Sequence, residues 1–219
     1  MSKENNKTVE VYKEKAWMYL NNSQEHDAMD WNRAKQKRES LENLLRNNLA
    51  ENISKGSKVF EIGSGDGSNA EFIKSLGYKV TASDTANDFI NAVKNKGVNT
   101  IKFNVLEDKF QDSYSAIFCW RVFVHFTIED AKAVLQKVYD TLEDGGIFIF
   151  NAINRETKEI DSEWIDFEGE YHMGAQRFYQ YFKEDELNEI IKSIGYKIYD
   201  FHKDGGDNDN KWLIYVLKK

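Results

Sequence analysis

The segment VFEIGSGDGSNAEFI, at residues 59 to 73, most strongly constrains what this chain can fold into. A short apolar run ends at Glu61 and Ile62, three glycines alternate with Ser64 and Asp66, and a helix-like segment follows. Glycines let the backbone turn sharply and pass close to a ligand. A strand that leads through such a turn into a helix predicts an α/β domain with a ligand at the turn. The alternative, a merely tight turn, is disfavoured by three alternating glycines.

Short apolar runs alternate with helix-like segments from residue 58 on, as in a mostly parallel sheet flanked by helices. Seven strands are predicted, at residues 58–62, 79–83, 99–103, 115–120, 146–153, 197–201 and 212–217. Helices are predicted at 68–76, 86–96, 128–142 and 183–194. Because only a polar loop separates the last two strands, we expect them to form an antiparallel hairpin. The predicted fold is α/β, a Rossmann-like seven-stranded sheet that ends in this hairpin.

The 219 residues suit a single domain, which we divide into four parts. Residues 8–52 look helical, so residues 1–55 are predicted to form a helical cap on the core at 56–153. Residues 154–181 form an insertion after the fifth strand, rich in aromatic and charged side chains and without a clean period. We expect it to be a lid or a wall of the ligand pocket. Residues 182–219 supply the last helix and the hairpin.

Composition excludes several classes of protein. The net charge is −7 and no run of lysine or arginine forms a basic stripe, so nucleic acid is not expected as a partner. Cys119 is the only cysteine, which excludes an intrachain disulfide and a cysteine-rich zinc site. No run approaches about 18 uncharged apolar residues, and the first twenty residues carry charge throughout. We therefore expect a cytoplasmic protein with no membrane partner, as a monomer or a homodimer.

The charges at the glycine turn indicate which ligand it accepts. A dinucleotide fingerprint, G-x-G-x-x-G, also follows a strand and opens a helix, but here the third glycine comes one residue too early. Glu61 and Asp66 would repel a pyrophosphate and attract a ligand with cationic groups. Asp84 ends the second strand, where a carboxylate can accept both hydroxyl groups of a ribose. The alternative for Asp84 is an N-cap of the helix at 86–96.

These residues resemble the successive motifs of class I S-adenosylmethionine-dependent methyltransferases. The resemblance covers about residues 58–219 and includes the glycine turn, Asp84 and the sequence LEDGGIFIFNAI, and the family's sheet also ends in an antiparallel hairpin. It implies S-adenosylmethionine as the cofactor, S-adenosylhomocysteine as the product and no metal. It also implies three groups of contacts: the amino-acid part at Glu61, Gly63, Ser64, Gly65 and Gly67, the ribose at Asp84 and Thr85, and the adenine at Asn104 and Val105. The family often carries Asp where Asn104 stands.

The cofactor carboxylate needs a donor that the glycine turn lacks, and we expect the cap to supply it. Tyr12, Tyr19, Arg33 and Arg38 are candidates, of which Tyr19 and Arg33 are taken as cofactor contacts. Trp120 is a further candidate contact. It alternates with Arg121 along a strand, so at most one of the two should face the ligand, and Trp120 in the core is the alternative.

The segment CWRVFVHF follows the fourth strand and places His125 at the edge of the sheet where the methyl group is expected. A neutral imidazole can accept a hydroxyl proton, so His125 is the predicted general base. Local packing is the alternative role. The lid contributes the predicted acceptor contacts Tyr171, Arg177 and Tyr179.

Absent residues narrow the acceptor. A chain without proline lacks the Pro-Pro-aromatic loop of amino-methyltransferases that act on nucleobases. The expected acceptor is therefore a hydroxyl group, less readily an amine, of a small molecule such as a sugar, a glycan precursor or a secondary metabolite. A non-catalytic nucleoside-binding protein with the same fold, and a nicotinamide-dependent reductase, are the alternatives.

Overall fold

The structure is a computed structural model that describes residues 1–25, 31–166, 174–204 and 211–219. Its helices are α1 (Lys3–Glu25), α2 (Trp31–Asn52), α3 (Ser68–Ser75), α4 (Asn87–Asn95), α5 (Ile128–Thr141) and α6 (Glu184–Ile194). Its strands are β1 (Lys58–Ile62), β2 (Lys79–Asp84), β3 (Asn99–Lys102), β4 (Tyr114–Cys119), β5 (Leu142–Asn154), β6 (Ser162–Ile165), β7 (Arg177–Phe182), β8 (Lys197–Asp204) and β9 (Trp212–Lys218). Two single 3-10 turns lie at Phe123–His125 and Arg155–Thr157.

The strands form one sheet in which β3, β2, β1, β4 and β5 are parallel neighbours in that order. β9 runs antiparallel to β5 and β8 runs antiparallel to β9, which confirms the predicted hairpin. Chain order reverses at β1, whose neighbours are β2 on one side and β4 on the other. A crevice at such a reversal, beyond the carboxyl ends of the strands, is where open α/β sheets bind ligands.

Side chains alternate between the two faces of the sheet, and each face has its own core. Phe60, Ile117 and Phe150 point to the face covered by α5 and α6. Val59 and Ile149 point to the opposite face, which α2, α3 and α4 cover. The sheet is therefore buried on both sides, as its continuous apolar strands predict.

The predicted fold class is confirmed, and the seven predicted strands are all present. The insertion differs from expectation, because it contains two further strands, β6 and β7. β7 pairs with the carboxyl end of β5, at Ile153 with Tyr181 and Asn154 with Phe182. All six residues of β7 are buried, including Arg177 and Gln180. Burial on both faces removes the polar–apolar alternation by which a strand is recognised in a sequence.

The cap consists of two helices with different positions. α2 packs on a face of the sheet, whereas α1 lies across the carboxyl edge and is held there by three hydrogen bonds. The Ser2 backbone N–H donates to both carboxylate oxygens of Asp130 at 3.0 Å, and Asn5 Nδ2 donates to the His125 carbonyl at 3.1 Å. The third runs from the Phe178 N–H to Thr8 Oγ1 at 2.9 Å. α1 is thus a roof over the ligand edge.

No helix in the described ranges has the length and apolarity needed to cross a membrane.

The packing of α2 on the sheet gives a stability prediction. Leu45 is fully buried in the core beneath α2, so Leu45→Ala should lower the free energy of unfolding by about 2 to 5 kcal/mol. Asn47, exposed on the same helix, provides the control, and Asn47→Ala should change stability by less than about 0.5 kcal/mol. Urea unfolding followed by circular dichroism measures both, and equal effects would contradict the packing described for α2.

Candidate active site

A cavity of about 470 Å³ lies between the carboxyl edge of the sheet and α1. Its volume is in the range of small-molecule and cofactor sites. Six of the residues predicted to hold the cofactor line it, namely Gly63, Gly65, Asp84, Thr85, Asn104 and Val105. Tyr19, Trp120, His125, Arg177 and Tyr179 line it as well. The fold therefore brings most of the sequence-predicted residues to one site.

The three glycines of the turn have different roles. A Cβ at Gly63 would lie 2.3 Å from Val122, and one at Gly67 would lie 2.7 Å from Val93, so close packing requires both glycines. Gly65 has a left-handed φ of 53° and no atom within 4 Å of where its Cβ would stand. Its backbone faces the open cavity, so a ligand can approach it closely. Gly67 does not line the cavity, and its role here is packing.

Asp84 holds the glycine turn and faces the cavity. Its Oδ2 accepts the Gly65 N–H at 3.1 Å, and its Oδ1 accepts the Ala86 N–H at 3.0 Å. The N-cap of α4 is Ala86, without a side-chain cap, so Asp84 is not the N-cap that was its alternative role; it accepts the N–H of that residue and remains on the cavity wall. Burial is the main reason that its pKa is raised above the usual value.

Glu61 lies beneath the turn, 1% exposed, and does not line the cavity. Its Oε2 is buried and finds no hydrogen-bond partner within the described ranges, and the same holds for Ser64 Oγ. Burial is the main cause that raises the pKa of Glu61 to about 8; a hydrogen bond with Asn69 acts against this rise, and the charges of Asp66 and Asp84 contribute to it. A buried carboxyl group with one unpaired oxygen beside the turn suits a ligand that brings a cationic group to it, because the cation stabilises the ionised form.

His125 is bound at both ring nitrogens. Nδ1 lies 2.7 Å from the Phe178 carbonyl, which can only accept, so Nδ1 carries the hydrogen. Nε2 then accepts the hydroxyl of Tyr12 at 3.0 Å, and Arg177 Nη1 donates to that same hydroxyl oxygen at 3.3 Å. Burial is the main cause that lowers the pKa of His125 to about 4. The imidazole is therefore neutral at ordinary pH, and its Nε2 is occupied by Tyr12, which lines the cavity with it.

The expectation that only one of Trp120 and Arg121 faces the ligand is wrong, because both line the cavity. β4 ends at Cys119, and Arg121 has a left-handed φ of 59°, so the strand alternation stops before it. The Arg121 N–H donates to Oδ1 of the buried Asn151 at 2.7 Å, which holds this conformation. Trp120 stacks on Phe118 with ring centroids 5.8 Å apart and still reaches the cavity wall.

Tyr171, Arg33 and Arg38, also predicted as contacts, lie elsewhere or outside the described part of the chain, and Asn104 has a local role as well. Tyr171 falls outside the described residues. Arg33 lies in α2, but its side chain is outside the described part; Lys37, one turn further along the helix, lines the cavity. Arg38 instead binds Asn69 and the Ser68 carbonyl at the start of α3. The amide of Asn104 caps its own loop, where its Oδ1 accepts the Leu106 N–H at 3.1 Å.

Several cavity residues had no signal in the sequence. Phe89 comes from α4, and its ring lies 5.6 Å from that of Tyr19. Lys211 and Trp212 come from the start of β9, which the hairpin returns to the ligand edge. The apolar period of α4 marks Phe89 only as a buried residue. Nothing local distinguishes Lys211 and Trp212, because only strand pairing places them there.

The cavity, the glycine turn and the acidic strand end define an α/β domain for a nucleoside-like ligand with cationic groups. Residues 32–200 match the family model of the methyltransferase domain, and the chain belongs to this family. This membership confirms the resemblance seen in the sequence. A curated relative, the probable S-adenosyl-L-methionine-dependent methyltransferase TehB of Haemophilus influenzae, is 25% identical over 158 residues. The match covers 62% of this chain and 54% of TehB, so the chain spans about half the length of that relative.

Solved structures share the fold over most of the chain. The complex of DhpI with SAM and HEP has a TM-score of 0.75 at 17% identity and covers 100% of both chains. A S-adenosylmethionine-dependent methyltransferase from Clostridium acetobutylicum has a TM-score of 0.69 at 14% identity, over 91% of this chain and 98% of that one. The glycopeptide N-methyltransferase MtfA with SAM has a TM-score of 0.62 at 12% identity, over 80% and 92%. At these identities the likeness concerns the fold alone.

The raised pKa of Glu61 predicts how stability depends on pH. The folded state binds a proton at Glu61 between pH 4.5 and about 8, where the unfolded state has lost it. Its contribution to stability therefore falls as pH rises through this window, by up to about 1.4 kcal/mol per pH unit. Glu61→Gln removes the titration, so the stability of this variant relative to wild type should rise from pH 5 to pH 8. A constant difference in urea unfolding would contradict the buried, protonated carboxyl.

Proposed function

We propose that this protein is a methyltransferase that binds S-adenosylmethionine in the cavity and methylates a hydroxyl group of a small molecule. The observation that carries the proposal is an open glycine backbone and a carboxylate on the cavity wall, at Gly65 and Asp84, above a buried carboxyl group with one unpaired oxygen, at Glu61. The acceptor oxygen bonds to the methyl carbon while the carbon–sulfur bond breaks and its electron pair stays on sulfur. Family membership supports this chemistry.

The residues present fit each part of this cofactor. Asp84 faces the cavity with a carboxylate that suits the ribose hydroxyls. Phe89 and Val105 offer apolar surface for the adenine, and the open backbone of Gly65 leaves room for the amino-acid part. Glu61 lies under that part and meets its ammonium group, directly or through water. In this arrangement Lys37 is assigned to the carboxylate, because it comes from the cap and lines the cavity.

Proton removal on the acceptor side is assigned to Tyr12 and His125 together. The acceptor hydroxyl gives its proton to the Tyr12 oxygen, and the Tyr12 proton passes to Nε2 of His125, 3.0 Å away. Arg177 holds the phenol in place from the other side. The low pKa makes His125 a weak base that is always available in its neutral form. Positioning of the acceptor supplies the remaining acceleration, since a sulfonium is already a good leaving group.

Gly65→Val tests the cofactor site with a matched control. Valine at Gly65 would strain a left-handed position and fill the path of the ligand, so binding of S-adenosylmethionine should weaken at least about 100-fold. Gly145 has a comparable φ of 77° and equally open surroundings, but it does not line the cavity. Gly145→Val should bind like wild type in isothermal titration. Wild-type affinity in the Gly65 variant would show that the turn is only structural.

The proton path predicts a matched pair of kinetic effects once an acceptor is found. Tyr12→Phe and His125→Asn should each lower kcat by about 10² without weakening cofactor binding, because both interrupt one path. Tyr199→Phe, at an exposed tyrosine of β8 that does not line the cavity, is the control and should retain most activity. In wild type, kcat should fall only below pH about 4, the pKa of His125, because its protonated form cannot accept a proton.

Activity that survives both substitutions would leave His125 and Tyr12 as packing residues. An acid limb near pH 6.5 in the wild-type profile would contradict the buried neutral imidazole. Binding of the cofactor without transfer to any acceptor would favour a non-catalytic nucleoside-binding protein.

A further inference from the structure

The cavity has two ends that differ in charge. Asp84 lies at the cofactor end, where β1 and β2 finish, and Glu61 lies beneath it. Beyond β4, the described wall carries three cations, Arg121, Arg177 and Lys211. They come from three separated parts of the chain, so this arrangement exists only in the folded protein.

Two of these cations lie beside the same aromatic ring. The Arg121 guanidinium carbon is 5.9 Å from the centre of the Trp212 ring, and Lys211 Nζ is 6.0 Å from it. A ring face stabilises a cation modestly. An anion bound beside this ring can accept charge-assisted hydrogen bonds from such cations. The ring itself could pack against the carbon skeleton of the same molecule.

The backbone at Arg121 gives an independent indication. Among the described residues Arg121 is the only one other than glycine with a positive φ, and the Asn151 side chain holds it there. Holding a residue in a sparsely populated backbone conformation costs about 1 to 3 kcal/mol of free energy. Such residues occur most often at functional sites. The left-handed conformation lets Arg121 line the cavity together with Trp120. In a regular strand these two neighbouring side chains would point to opposite faces.

The three cations differ in how a ligand can reach them. Arg177 is buried, donates to Tyr12 and lies close enough to Asp166 to interact with its charge. Arg121 and Lys211 are exposed side chains on the cavity wall, so the ligand charge is assigned mainly to them. The whole chain has a net charge of −7, so a local group of cations in its cavity is an exception to the general charge. An anionic ligand needs such a group to approach an acidic protein.

We infer that the methyl acceptor is a small molecule with an oxyanion group, a carboxylate or a phosphate, which Arg121 and Lys211 bind beside Trp212. This inference rests on the proposed function and specifies its substrate class. The oxyanion anchors one end of the acceptor, and the reacting hydroxyl lies toward Tyr12. The bound sulfonium adds a further positive charge to the cavity, which also favours an anionic acceptor.

The first experiment measures binding of inorganic phosphate and of acetate to the full chain saturated with S-adenosylhomocysteine. Thermal unfolding is compared with sodium chloride at the same ionic strength. At least one of the two anions should raise the melting temperature of wild type, and the rise should disappear in Arg121→Gln and in Lys211→Gln. Lys132, exposed on α5, provides the control, and Lys132→Gln should respond like wild type. No specific rise in wild type, or an equal rise in all four proteins, would overturn the inference.

The second experiment measures methyl transfer from S-adenosylmethionine to hydroxy acids and sugar phosphates, each paired with its neutral amide or dephosphorylated form. Charged acceptors should be preferred, and Arg121→Gln or Lys211→Gln should lower their kcat/KM by about 10- to 100-fold, the effect of one lost charged hydrogen bond. The two acceptor sets distinguish a carboxylate from a phosphate. Equal methyl transfer to the neutral partners, or a preference for amines as acceptors, would overturn this inference. Neither result would by itself refute the binding of S-adenosylmethionine in the cavity.

Cofactor titration separates this inference from the proposed function. Both variants should retain the affinity of wild type for S-adenosylmethionine, because their side chains lie beyond β4. A loss of cofactor affinity in Arg121→Gln would place that guanidinium on the cofactor carboxylate and would overturn the inference while supporting the proposed function. A wild-type protein that binds no S-adenosylmethionine would refute the proposed function itself.

Discussion

The hydrogen bond between Asp84 and the Gly65 N–H joins the ends of two parallel strands, and the site is organised around this contact. It fixes the glycine turn against β2 and leaves one face of the carboxylate toward the cavity. The turn can lie this close only because Gly63 and Gly67 let Val122 and Val93 pack against its backbone. The bond, the turn and the start of α3 therefore form one unit, to which a ligand can bind with little rearrangement.

Burial disfavours the charged form of the ionisable groups at both ends of the cavity. At the proposed cofactor end it raises the pKa values of Glu61 and Asp84, and a ligand with positive charge would restore their ionised form. At the other end, burial lowers the pKa of His125 to about 4, and cations gather around Trp212. A cationic cofactor and an anionic acceptor would meet between these ends with complementary charges.

The cap and the insertion add further cavity residues to the parallel core that is common to the family. α1 closes the cavity from above, and its Tyr12 occupies the place where the sequence suggested that His125 would act directly. β7, which sequence patterns did not reveal, supplies both Arg177 and the Phe178 carbonyl that orients His125. The parts of the chain that are least regular in sequence thus form the proposed acceptor side, where differences among related enzymes are expected to concentrate.

The sequence by itself determined the parallel core, the terminal hairpin and the cofactor side of the cavity, because these depend on local patterns: apolar runs, alternating glycines and acids at strand ends. Tertiary structure alone decided which residues complete the site. Lys37, Phe89, Lys211 and Trp212 reach it through helix packing and strand pairing, and Arg121 reaches it through a left-handed backbone held by Asn151. Contacts between residues distant in the chain leave no periodic signal, since each is set by the three-dimensional path rather than by spacing.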